Sequence, residues 1–131
     1  MTAFDAIDRA AMRAQESVFG DTFAYQPMAL PAGNGNAVPS ADPSRPAASI
    51  VAILTFRQEK PLQTRDYDPR ADKRPGASLI KIEIEVDGRF GLDIKRHDEF
   101  RRLGDGKVWR VHSTTVTDTG RTIAVVNEVS A

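Results

Sequence analysis

The chain has 131 residues, with 18 Lys+Arg against 18 Asp+Glu, so its formal net charge is zero; 40% hydrophobic and 27% charged residues are the balance of a soluble globular protein. Neutrality excludes a broad electrostatic footprint for nucleic acid or an anionic membrane and leaves only local basic patches. The absence of cysteine removes disulfides, thiolate metal sites and cysteine nucleophiles.

At this length one domain over 1–131 is expected. The opening stretch "MTAFDAIDRAAMRAQ" lacks the apolar core of an export signal, and no apolar run is long enough to span a bilayer. The expectation is therefore a protein without an export signal and without a membrane partner.

The first element reads as an amphipathic helix over about 3–18. Phe4, Ile7, Ala11, Ala14 and Val18 recur at helical spacing and predict the buried stripe. Thr2 and Asp5 resemble a capping box, Asp5 and Arg9 form an i,i+4 pair on the solvent side, and Gly20 is placed to end the helix in a left-handed conformation. After Phe19 comes "TFAYQP", whose alternation puts Phe23 and Tyr25 on one strand face, with Pro27 ending the run or marking an edge. This aromatic corner is read as the anchor between helix and sheet.

Residues 30–48 are rich in Pro, Gly, Ala, Asn and Ser and predict a long mobile loop. "SIVAILTFR" follows as an apolar strand expected to be covered on both faces. A second polar loop is predicted over 58–77. "LIKIEIEV" then alternates Ile80, Ile82, Ile84 and Val86 inward against Lys81, Glu83 and Glu85 outward. Asp87-Gly88 is a hairpin signal, with Phe90, Leu92 and Ile94 resuming the inward face beyond it. "RHDEFRRLGDG" reads as a short turn, and a closing hairpin over about 107–129 turns at Asp118-Thr119-Gly120, with Trp109 and Val111 sharing a face.

These elements predict a mainly β fold: a small antiparallel β-barrel or sandwich of about six strands, two long flexible loops, and the helix against an open edge or end.

The side chains that carry chemistry form no catalytic pattern. Asp66, Asp68 and Asp72 space like a calcium loop but lack its central glycine and its distal glutamate. His97 sits in a charged turn and His112 on an outward strand position, neither with a marked nucleophile or carboxylate. The "GNG" and "GDG" segments lack the strand–helix setting of a phosphate loop and read as turns. Basic clusters at Arg65, Arg70, Lys73, Arg74 and at Arg96, Arg101, Arg102, Lys107, Arg110 are interleaved with acids and read as mixed solvated faces. No enzyme activity, cofactor or metal is expected. Two long polar loops are costly to order and make best sense on a partner.

The helix running into "VFGDTFAYQP", the long loop before an apolar strand, and the closing "RRLGDGKVWRVHSTTVTDTGRTIAVV" resemble the head–tail joining (head completion, tail-attachment) proteins of long-tailed phages and of related prophages and gene transfer agents. The likeness rests on Gly104, Asp105, Gly106, Trp109 and Val111, with Ile123, Val125 and Val126 after the turn. It implies a structural virion protein at the head–tail interface, present in host cytoplasm before assembly. The implied partners are a portal or connector protein, a tail protein and further copies in a ring, with only non-specific proximity to DNA. Arg65, Tyr67, Arg70 and Arg74 are the interface residues this suggests. Two other readings stand beside it: a small-molecule- or carbohydrate-binding β-barrel with the aromatic corner as pocket, and another tail part such as a terminator or baseplate module.

Overall fold

In the computed structural model, residues 3–31, 36–59 and 79–129 are described. Among these residues one α-helix, α1 (Ala3–Phe19), precedes eight strands: β1 (Asp21–Gln26), β2 (Met28–Ala29), β3 (Ser40–Ala41), β4 (Ala48–Glu59), β5 (Leu79–Val86), β6 (Glu99–Arg102), β7 (Val108–Val116) and β8 (Thr122–Val129). Six of them close a barrel in the order β1-β4-β5-β8-β7-β6, while β2 and β3 form a separate two-stranded sheet. The pairings are antiparallel throughout. The fold is therefore mainly β, as the alternating apolar pattern predicts.

Closure follows from β4, whose twelve residues serve two neighbours. Its first half pairs with β1 (Phe23 opposite Ile50), and its second half with β5 (Leu54 opposite Ile84). Pleat alternation then sends Ile50, Ala52, Ile84, Val86, Ala124 and Val126 into the barrel. Phe23, Phe100 and Trp109 fill the interior with edge-on contacts: the Phe23 ring centroid lies 6.2 Å from that of Phe100 and 6.1 Å from that of Trp109. Such pairs add to the burial of large apolar area.

Several expectations need correction. Asp87-Gly88 makes no hairpin. Asp87 instead caps a short 3-10 turn (Gly88–Phe90), accepting from the Arg89 N–H. Both edges of β5 are taken, by β4 and β8, so residues 90–94 have no ladder to join. They cross unpaired toward β6, and Ile94 enters the core with Phe90 and Leu92 packed against it. The stretch read as a turn, "RHDEFRRLGDG", contains β6, paired with both β1 and β7. Nor is there an open edge for the helix, because the barrel is closed; α1 lies against β4. This cover leaves Val51, Ile53 and Thr55 on the outer side of β4 half-buried, short of the burial on both faces that its apolar run predicts.

Gly20 ends the helix for a different reason from the one expected. Its φ is not positive, but a Cβ there would collide with the Glu16 carbonyl oxygen and come within 2.8 Å of Val51 Cγ1. The bare backbone allows β1 to leave the helix directly against β4. Within the predicted first loop, residues 36–48 include β3 and are tied to the body through Arg45. The second predicted loop, beyond Glu59, lies outside the described residues.

Candidate functional site

Helix α1 carries two stripes at helical spacing. One is Phe4, Ile7, Ala11, Ala14, Val18; the other is Asp5, Asp8, Met12, Glu16. The barrel takes the second. Met12 is 1% exposed and Glu16 6%, whereas Phe4 is 83%, Ile7 65% and Val18 71% exposed. The predicted buried stripe is thus the outward one, and the half-buried Asp5 lies on the barrel side.

Two ion-pair clamps decide this orientation. Arg89 Nη2 donates to Glu16 Oε2 at 2.5 Å, and Arg89 Nη1 donates to Asp87 Oδ2 at 2.6 Å. At the other end Arg121 Nη2 donates to both Oδ1 and the backbone carbonyl of Asp8, each at 2.9 Å, while Nη1 donates to Glu85 Oε1 at 3.0 Å. Each arginine thus bridges one helix acid and one acid at the end of β5. Glu16 and then Asp87 raise the Arg89 pKa against the opposing effect of burial; burial raises that of Asp87, but bonds from the Arg89 backbone and side chain outweigh it and bring it below its ordinary value. With Met12 seated between the clamps, turning the helix over would part Glu16 from Arg89 and Asp8 from Arg121, leaving each arginine only its acid at the end of β5.

The outward arc is left uncharged and nearly smooth. At 100° per residue, Ala3, Ile7, Ala10, Ala14 and Val18 share it, all exposed, with Phe4 and Ala11 beside them. Arg13 falls off this arc and lines a cleft of about 290 Å³ with Asp87, Arg89 and Gly120. A contiguous apolar helix face open to solvent is a feature that soluble monomers rarely show.

A second constellation is structural. The fully buried Asp98 carboxylate accepts five hydrogen bonds: from Arg45 Nη2 at 2.8 Å and Nη1 at 3.0 Å, the Tyr25 hydroxyl at 2.6 Å, and the backbone N–H groups of Met28 at 2.9 Å and Lys95 at 2.8 Å. Burial pushes its pKa up, but the bonds from Arg45, Tyr25 and the two amides outweigh it and hold the carboxyl below its ordinary value. Burial and the Asp98 bond raise the Tyr25 hydroxyl well above its ordinary value. These five bonds tie β1, the β2–β3 sheet and the approach to β6 together.

His97 and His112 line one open groove with Arg96, Arg110 and Asn127. His112 stands exposed where the β7–β8 register slips between Val111 and Ser113, and His97 takes φ 78° with its N–H bonded to the Val111 carbonyl. Among the described residues no three metal-ligating side chains cluster, and no helix is long and apolar enough to cross a membrane.

No protein-family model matches the chain, and no curated protein matches it either. The suggested interface residues Arg65, Tyr67, Arg70 and Arg74, and the Asp66, Asp68, Asp72 set, lie outside the described residues. Sequence reasoning missed the role of Arg45, Glu16, Arg89 and Arg121. One signal was available for Glu16: the acids of α1 repeat at the same spacing as its apolar residues.

Proposed function

We propose that the chain is a structural part of a phage-type particle, joining the DNA-filled head to the tail as a ring of copies that closes or extends the channel. The observation that carries this reading is the inverted mounting of α1. A protein acting alone gains nothing by clamping its helical charges inward and leaving Phe4, Ile7 and Val18 in water. A part that is buried in an assembly does. The closed barrel supports the same role, since closure leaves free strand edge only where β4 and β5 run past their other neighbours and so limits uncontrolled strand pairing between copies. Near-zero net charge suits a channel part past which DNA slides.

A ligand-binding barrel needs room along its axis, and Phe23, Phe100 and Trp109 occupy that space. The reading as another tail part shares the same helix face and separates by genetics. In a particle lacking this gene, DNA-filled heads and free tails should accumulate, and added purified protein should restore joining. Complete, infectious particles without it would overturn the proposal, and finished heads with aberrant tails would move it to the tail.

A further inference from the structure

We infer that the outward face of α1 is the seat for the β4–β5 ribbon of a second copy of this chain. The inference rests on the ring reading and names its contact. The described residues carry a second exposed apolar patch, distinct from the helix. β5 meets β8 only from Ile82 onward, but its pairing with β4 continues to Leu79. The ribbon therefore outruns the barrel wall. Phe56 pairs with Ile82, and Ile80 is its diagonal neighbour on the same face; Phe56 is 61% and Ile80 65% exposed.

Both patches are exposed, apolar and differ in side-chain size. Ala10 and Ala14 leave a shallow floor between the rims of Ile7 and Val18, and a shallow floor accepts large side chains at close backbone approach. Phe56 and Ile80 are such side chains. Both surfaces lack charge at their centres, so neither requires an ion of the partner to be stripped of water. Because both halves belong to one chain, a second copy supplies what each lacks. Joining two different patches is a head-to-tail contact, which repeats around a ring, whereas helix on identical helix would stop at a dimer and leave Phe56 and Ile80 in water.

The absence of native cysteine makes a crosslinking test clean. Ile7→Cys and Ile80→Cys replace exposed side chains, and Ser113→Cys, exposed on β7, serves as the control position. Two single variants of different tag mass are mixed at high protein concentration and treated with a short bis-maleimide. The Ile7→Cys with Ile80→Cys product should exceed either pairing with Ser113→Cys by about ten-fold, as expected when docking sets the local concentration. The double variant Ile7→Cys/Ile80→Cys should give a ladder that ends at one closed species. Product confined to Ile7→Cys with itself would assign the helix to an isologous dimer and overturn the inference, as would yields equal to the control. Failure of the joining role is read separately, from the gene-deletion particles, and leaves the crosslinking result standing as a contact between copies.

Discussion

Arg89 and Glu16 lie 73 positions apart and meet at 2.5 Å, the guanidinium donating to a carboxylate that is almost wholly shielded from water. This contact turns the charged side of α1 inward. Arg89→Ala removes one clamp and should cost about 1 kcal/mol, since the Arg89 side chain keeps partial solvent contact that screens the pair. Trypsin cleavage within α1 should quicken in the variant. Unchanged cleavage would show that the clamp does not hold the helix.

Ile7 and Met12 sit on opposite sides of α1, one exposed and one buried. Ile7→Ser should leave stability within about 0.5 kcal/mol of the parent, as surface substitutions do. Met12→Ala should cost about 2–4 kcal/mol through lost burial and the space left behind. Urea denaturation distinguishes them, and the reverse order would mean the helix sits the other way up.

Phe23 is wholly buried and touches two other aromatic rings. Phe23→Ala should cost about 3–5 kcal/mol. Thermal unfolding reads the loss directly, and a variant as stable as the parent would contradict the filled interior.

Gly20 has no room for a side chain beside Val51 Cγ1 and the Glu16 carbonyl. Gly20→Val should destabilise by about 1–3 kcal/mol, because a helix end, β1 and β4 would all have to shift. A calorimetric scan showing an unchanged midpoint would remove the close-approach explanation.

Asp98 titrates below its ordinary value in the folded protein. Its stabilisation is therefore fully present above the unfolded carboxyl value of about 4 and is lost as pH falls through the folded value. Asp98→Asn should cost about 3 kcal/mol at neutral pH, by leaving Arg45 without its counter-charge. It should also flatten the acid limb of the stability curve. Parallel acid limbs in parent and variant would assign that limb to other carboxylates.

Strand positions were legible for most of the core face, but Ile80, expected inward, is exposed where β5 outruns the barrel, and Glu83, expected outward, is buried. Ile84, Val86, Phe23, Tyr25, Trp109 and Val111 alternate with polar neighbours and are buried. The hairpin at Asp87-Gly88 was misread because turn chemistry reports what a dipeptide can do, while the ladder edge that a hairpin needs was already occupied by β8. β6 was missed because its four residues, Glu99–Arg102, hold a single buried side chain, Phe100, too short a run for a period. The Asp98 lock was invisible for a related reason. Its partners Tyr25 and Arg45 lie 73 and 53 positions away, and no local pattern marks them.

Local chemistry alone determined that the chain is mainly β with one leading helix, because pleat and helix periods are written into neighbouring residues. The face the helix buries was decided only by tertiary structure. Both stripes of α1 have helical spacing, and apolarity alone favours the wrong one. The choice turns on where Arg89 and Arg121 stand after the barrel closes, since a carboxylate goes inward only when a guanidinium is already fixed there to meet it. Once those two arginines claim Glu16 and Asp8, Phe4, Ile7 and Val18 have nowhere to face but outward.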